Sequence, residues 1–463
     1  MALAHELHEA LIGAEQGHVL ERWERLDPAG RARLERDLAR LDLRLLQELR
    51  ACARRKPPVG SSFAPPPLFP LQRTGAEELH AHEANRLGEA VLRRGEVGFV
   101  LVAGGQASRL GYDAPKGVLP VGPVSGRSLF AYHAHRLLAL RARFGVRTPW
   151  YVMTSPENDP ETRRFFEAQG FFGLPPEDVF FFSQDTLPAL DEEGRMLFAS
   201  PASLFLAPNG HGGTMLGLER SGAIEDMHSR GLKTLSYFQV DNPLVRPADP
   251  LFLGLHALER AEMSSKVVKK RDASEKVGVI GRIDGQLGCI EYSDLPPDLR
   301  LARDATGELA FRAGNIAVHA LEVDFLERIT SAGLSLPWHV ARKAMKVVGE
   351  QGEEREVLGF KFETFVFDAL AFARGSVILE VERSLEFSPV KNRSGEDSPT
   401  SVRRDLCRMY AGWVRAARLP LPEVDAEGNH PVEVDPRFAE TQDEFLARRP
   451  RRPDVHPTGH LYS

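Results

Sequence analysis

FVLVAGGQASRLGYDAPKGVLPVG, residues 99–122, decides the reading of this chain. An apolar run from Gly98 to Val102 reads as a buried strand and breaks into Gly104-Gly105. Ser108-Arg109-Leu110-Gly111 and Pro115-Lys116-Gly117 follow. Paired glycines after a strand let the backbone turn tightly and set bare N–H groups against a flat or anionic ligand. Arg109 and Lys116 add two cations over the same loop, a set suited to a polyphosphate. The pattern is neither of the two common phosphate loops. A Walker loop ends in Gly-Lys-Ser/Thr and a dinucleotide fingerprint reads Gly-x-Gly-x-x-Gly. Here the lysine follows a proline, well past the turn glycines. The expectation is a loop that binds a nucleoside triphosphate.

Outward from this loop, short apolar runs alternate with helical stretches. FVLVAG precedes SLFAYHAHRLLALRARFG, PWYVMTS precedes PETRRFFEAQG, and DVFFFS leads to APNGHGG and a helix around Met215 to Arg230. LSYFQVD closes this half. Such alternation predicts an α/β domain on a largely parallel sheet, with ligands gathering at the carboxyl ends of the strands. After Ser264, SKVVKK, VGVIGRIDG, GCIEYS and SVILEVE read as strands with Gly or Asp-Gly turns, a mixed or antiparallel extension. Before the loop, residues 1 to about 55 carry leucines at three- and four-residue spacing and read as helices. Asp27-Pro28 looks like a cap and first-turn proline opening the second of them. Lys56–Pro70 is proline-rich and reads as an extended connector, followed by a helix over Gly75–Arg93. The expected division is a helical region over 1–94, a central α/β domain over 95–400 and a small appendage over 401–463.

Composition narrows the function classes. With 59 basic and 65 acidic residues the net charge is -6, and no long basic block suggests nucleic acid or an anionic membrane surface as main partner. The three cysteines, Cys52, Cys289 and Cys407, are scattered and form no CxxC pair, which argues against a disulfide framework or a structural zinc site. The first residues lack the basic start and apolar run of a signal peptide, and no segment has the ~20 apolar residues of a membrane span. A cytoplasmic location is the expectation.

The pattern Leu-x-x-Gly-Gly-x-x-x-Arg-Leu-Gly-x-x-x-Pro-Lys-Gly resembles the signature of the UDP-N-acetylhexosamine pyrophosphorylases, within the broader uridylyltransferase family of UDP-sugar makers. The resemblance runs in order over about residues 95–415. It takes in WYVMTS (150–155), SQDTLPA (183–189), APNGHGG (207–213), QVDNPLVRPADP (239–250), VGVIGRIDG (277–285) and IEYSDL (290–295). AGNIAVH (313–319), ETFVFDAL (363–370) and EFSPVKN (386–392) complete it. It implies a Rossmann-like nucleotidyltransferase fold with a mixed, mainly parallel central sheet. The implied reaction joins UTP to a sugar 1-phosphate and releases pyrophosphate.

That chemistry needs positioning and positive charge more than an acid or base. Arg109, Lys116 and Lys391 supply the charge. By resemblance, Lys116 serves the α-phosphate and departing pyrophosphate and Lys391 the sugar phosphate. Gly104 belongs to the nucleotide loop, Gly105 and Gly210 resemble backbone contacts to uracil, and Gln184, which both donates and accepts, would pair with the amide edge of the base. Asp241 matches the family's metal-holding aspartate and would bind Mg²⁺; capping of the turn into Asn242-Pro243 is the structural alternative. Glu291 and Asn315 resemble sugar-hydroxyl contacts, with Gly278 beside them. Phe365 and Phe367 resemble the wall beside the acyl group, or else form one face of a core strand or turn.

One departure bears on the sugar. N-acetylglucosamine enzymes of this family typically carry Gly-Asn-Gly-Gly, whereas this chain has Gly210-His211-Gly212-Gly213, similar to the UDP-glucose and broad-specificity enzymes. N-acetylglucosamine 1-phosphate is the expected substrate, glucose or galactose 1-phosphate the alternative, and a UDP-sugar-sensing protein without turnover the alternative of another class. HELH at His5 and HAHE at His80 lack the i, i+4 spacing of a helical zinc site. His339, in a His-Val-Ala segment shared with the family, reads either as a lid or phosphate contact or as a packed core histidine.

Overall fold

The computed structural model describes residues 4–54, 62–334, 336–349, 352–448 and 453–463. Residues 56–61 of the proline-rich connector lie outside them. Two compact units emerge from the packing: one of residues 1–61, 184–217 and 334–368, the other of 62–183, 218–333 and 369–463.

The larger unit is built on a ten-stranded mixed sheet. Its parallel centre runs Val179–Ser183, Trp150–Thr154, Val97–Val102 and Thr234–Gln239 across the sheet. All six residues of Val97–Val102 are buried, which is why this strand is apolar throughout instead of alternating. Ala313–Glu322 then pairs antiparallel with Thr234–Gln239 and with Met263–Lys269, which Ile378–Val381 joins in parallel. Val279–Ile283 and Gln286–Ile290 form a hairpin through Asp284-Gly285, both at positive φ (51° and 87°), as an Asp-Gly hairpin turn requires. The sheet is therefore parallel where the glycine loop leaves it and mixed toward the other edge. Because the four central strands share a direction, Gly104, Ser155 and Asp241 all follow carboxyl ends on one side.

Helices cover the sheet. Gly75–Arg93 starts on a Thr74/Glu77 capping box, and Leu129–Phe144 runs from Ser128, whose Oγ accepts from Ala131 N, to Gly145 in the left-handed conformation. Gly75–Arg93 lies against Pro250–Leu258 with almost no gap: a Cβ on Gly88 would sit 1.8 Å from the Pro250 carbonyl oxygen, and one on Gly254 1.7 Å from that of Ala84. The expected helix over Met215–Arg230 is two, Gly213–Arg220 and Ala223–Ser229, broken at Gly222 with φ 77°.

In the smaller unit, the described residues before the connector form the helices His5–Gly13, Gly17–Arg25, Pro28–Leu38 and Leu45–Arg54. Asp27 caps as expected, accepting from Gly30 N, but opens the third helix, because Glu15 at φ 58° ends the first one early. Leu11, Val19, Trp23, Leu34, Leu46 and Leu49 bury against Leu190, Phe198 and Phe362. The leucine stripe is thus a packing surface. A long hairpin, His339–Val348 with Glu354–Glu363, completes this unit.

Near the chain end, Val432–Val434 pairs in parallel with Gly459–Tyr462 in the larger unit. The Glu433 carboxylate accepts from Val124 N, Ser125 N and Ser125 Oγ, and pairs with Arg127, bracing the turn that follows the glycine loop. No helix among the described residues is long and apolar enough to cross a membrane.

Candidate active site

In the larger unit the glycine loop is held from beneath by a side chain that no motif marks. Asn158, fully buried, donates from Nδ2 to the Ala103 carbonyl at 2.9 Å, while its Oδ1 accepts from Ser155 N at 2.8 Å. Gly104 is buried and Gly105 exposed, with open space where a Cβ on Gly105 would point. The loop folds back so that Lys116 N donates to the Gly105 carbonyl at 3.1 Å. Lys116 opens a short 3-10 turn, and Gly117 follows it because any larger residue would collide with Phe130, 2.2 Å from the Cβ position. Arg109 is exposed, on the turn that ends at Gly111 with φ 84°.

Lys116 Nζ reaches Asp241 Oδ2 at 3.2 Å, the two side chains being 20% and 16% exposed. Asp241 lies two residues past Gln239, the end of a central strand. Its second carboxylate oxygen makes no hydrogen bond among the described residues. A hard anionic oxygen in this position is of the type that suits a divalent cation. The Asp241 carbonyl accepts from Val390 N at 2.9 Å, which places Lys391 one residue from the same turn. Lys391 is exposed, its ammonium 5.6 Å from the centre of the Phe387 ring. Thus Gly104, Gly105, Lys116, Asp241 and the backbone bearing Lys391 form one connected arrangement.

Gly278, Glu291 and Asn315 form a second. Asn315 N donates to the Gly278 carbonyl at 2.9 Å, and a Cβ on Gly278 would stand 3.5 Å from Glu291 Oε1. Asn315 Oδ1 accepts from Ala317 N across an irregularity at which Ala317 takes φ 53°. Cys289, buried, sits among them with Sγ 3.7 Å from Asn315 Nδ2. Its proximity follows from strand pairing between distant segments, so nothing in its local sequence could have shown it.

The smaller unit holds Gln184, Gly210, His211, Phe365 and Phe367. Gln184 is buried directly after Val179–Ser183. Gly210 adopts φ 82° and packs so closely on Thr364 that a Cβ would come within 2.4 Å of its carbonyl oxygen. That contact alone accounts for glycine here. His211 stacks on Phe365 with centroids 5.0 Å apart, and Phe365 lies 5.0 Å from Phe367. Val366 N–H donates to His211 Nδ1 at 3.1 Å, so the neutral ring carries its proton on Nε2. Burial, with His339 nearby, lowers the His211 pKa to about 4. His339 packs on Phe365 at 4.3 Å and pairs through Nε2 with Asp368 at 2.8 Å, the geometry of a packed, partnered histidine.

Residues 72–461 match the model of a family described as UTP–glucose-1-phosphate uridylyltransferase. The chain is 37% identical over 427 residues to UDP-N-acetylhexosamine pyrophosphorylase-like protein 1 of Xenopus tropicalis, covering 87% of this chain and 83% of the relative. It is 33% identical to the UDP-N-acetylglucosamine pyrophosphorylase of Saccharomyces cerevisiae, over 88% of this chain and 91% of that one. The crystal structure of the Trypanosoma brucei uridine diphosphate N-acetylglucosamine pyrophosphorylase superposes with a TM-score of 0.83 at 26% identity, covering 100% of this chain and 98% of the other.

Proposed function

The chain belongs to the UTP–glucose-1-phosphate uridylyltransferase family, and from that premise we propose that it joins UTP to N-acetylglucosamine 1-phosphate, forming UDP-N-acetylglucosamine and pyrophosphate. The observation that carries the reading is the Lys116–Asp241 pair at the mouth of the glycine loop, with the Lys391 segment bonded to the same turn. A sugar-phosphate oxygen attacks the α-phosphorus of UTP, forming one P–O bond as the bond to pyrophosphate breaks. Both substrates are anions, so the work is neutralising charge and holding the line of attack. Lys116 and Arg109 stand over the nucleotide phosphates, and Lys391 takes the sugar phosphate. Asp241 holds the divalent cation that such nucleotidyl transfer generally uses, which we take to be Mg²⁺; when bound it neutralises phosphate charge.

In the remaining roles, Gln184, Gly105 and Gly210 read the uracil, while Glu291 and Asn315, with Gly278, contact sugar hydroxyls. Phe365 and Phe367 are assigned to the acyl group. His211 supports a second reading, glucose or galactose 1-phosphate as substrate, because its fixed Nε2–H offers a donor where an amide is usual among the N-acetylglucosamine enzymes. A UDP-sugar sensor without turnover would not need both lysines and the carboxylate. Pyrophosphate release measured with UTP across a panel of sugar 1-phosphates tests the proposal. Fastest turnover with N-acetylglucosamine 1-phosphate is expected; release only with unacetylated sugars would favour the second reading, and none with any sugar would sink the enzyme.

A further inference from the structure

Asp241 and Lys391 lie 150 positions apart in the chain, yet the reading above needs them at one fixed spacing. Besides the Asp241 carbonyl, a further residue joins their two segments. Asn242 is 2% exposed, and all of its side-chain hydrogen bonds stay on backbone. Its Nδ2 donates to the Glu386 carbonyl at 2.7 Å, and its Oδ1 accepts from Ser388 N at 3.1 Å and from Leu244 N at 3.3 Å. With Val390 N on the Asp241 carbonyl at 2.9 Å, the segment is fastened to the turn at residues 386, 388 and 390. Both ends of that segment are anchored as well. The Glu386 carboxylate pairs with Lys266 Nζ at 2.5 Å, a lysine with no exposure that also meets Asp249 at 2.7 Å. Beyond it, Lys391 N and Asn392 N both donate to the Asp397 carbonyl, at 2.6 and 2.8 Å.

We propose that Asn242 is a positioning residue that ties the turn carrying Asp241 to the segment carrying Lys391, setting the distance between the metal-side carboxylate and the sugar-phosphate lysine. This rests on the functional reading above. A carboxamide is the group for the task, since one buried side chain must both donate to a carbonyl and accept from amides. Losing it leaves three buried backbone groups unsatisfied, each a substantial penalty, and the segment relieves them by shifting toward water. In-line transfer tolerates such a shift poorly: a misplacement of about 1 Å costs on the order of a hundredfold.

The test is a double-mutant cycle with Asn242→Ala and Lys391→Ala, read by three measurements. These are kcat/KM for N-acetylglucosamine 1-phosphate at saturating UTP, UTP affinity by direct titration, and amide exchange over residues 386–392. Asn242→Ala is expected to lower kcat/KM for the sugar phosphate by roughly 30- to 100-fold, leave UTP affinity within about threefold, and speed exchange at Ser388 and Val390. In the Lys391→Ala background the same change is expected to cost less than about threefold, because the group being positioned is gone. An equal cost in both backgrounds, a matching loss of UTP affinity, or unchanged exchange would overturn the proposal. If Asn242→Ala does not melt cooperatively, Asn242→Asp, which keeps shape and acceptor but loses the donor, takes its place. If both fail to fold, Asn242 is a folding residue and the proposal ends. A wild-type chain inactive with every sugar phosphate would remove the functional reading itself, a result distinct from an active chain whose variants combine additively.

Discussion

Replacing Lys116 by alanine separates charge stabilisation from metal binding, because in this structure the lysine occupies the carboxylate assigned to the metal. Lys116 Nζ stands 3.2 Å from Asp241 Oδ2, and both side chains are mostly shielded. A unit charge at about 4 Å from a developing anion, at an effective dielectric near 20, is worth about 4 kcal/mol. Deleting one preorganised donor at a developing oxyanion costs about 2.7–4 kcal/mol, or 10²–10³ in turnover. The two estimates agree, so Lys116→Ala is expected to lower kcat by that factor. The same substitution leaves the Asp241 carboxylate without its cation, so the Mg²⁺ concentration giving half-maximal rate should stay constant or fall. Initial rates of pyrophosphate release, with Mg²⁺ titrated at saturating substrates, measure both quantities. A cooperative melt near the wild-type temperature secures the fold. A kcat within tenfold of wild type would refute the assignment of Lys116. A higher Mg²⁺ requirement would refute the idea that lysine and metal share Asp241.

Other consequences follow from the same geometry. Asp241→Asn should raise the half-saturating Mg²⁺ concentration sharply or abolish turnover, since a neutral amide is a poor ligand for a hard dication; an unchanged titration curve would reduce Asp241 to a turn cap. His211→Asn should shift relative kcat/KM toward N-acetylglucosamine 1-phosphate and away from glucose 1-phosphate by about ten- to a hundredfold, the worth of one hydrogen bond in a desolvated site. A ratio constant within about twofold would end its role in sugar choice. Acid should destabilise the protein through His133, whose pKa burial lowers to about 4 and whose Nε2 donates to the Val240 carbonyl. Its folded value lies below its unfolded one near 6.5, so its contribution is complete above about pH 6.5 and is lost as pH falls toward 4, by about 3 kcal/mol. His211 titrates with the same sign. Melting temperatures between pH 7 and 4.5 test this; a His133→Gln variant with the same slope as wild type would contradict it.

Local rules carried far into this fold. The buried strand Val97–Val102 and the glycine loop, the cap at Asp27 and the Asp284-Gly285 hairpin were all legible, because each is decided by neighbours within a few residues. Breaks that hinge on one residue's φ were not: the leucine period gives no sign that Glu15 turns left-handed, nor does the Met215–Arg230 pattern mark Gly222 as a break. The antiparallel insertion of Ala313–Glu322 beside Thr234–Gln239 depends on pairing between segments far apart in the chain. In the candidate site, motif resemblance named Lys116, Asp241 and Lys391 but not what fixes them. Asn158, Asn242 and Glu433 act through backbone groups 55, 144 and 309 positions away, and a lone buried polar residue looks alike in sequence whatever it supports.

Uridylyl transfer to an acetylated sugar phosphate is open to direct observation. Phosphorus NMR of the purified chain with UTP, Mg²⁺ and N-acetylglucosamine 1-phosphate follows both products at once. Equal growth of the UDP-N-acetylglucosamine and pyrophosphate signals is expected, reversing when pyrophosphate is added in excess, with both growing far more slowly for Lys391→Ala. Unchanged UTP and sugar-phosphate signals under conditions where the chain demonstrably binds UTP would contradict it.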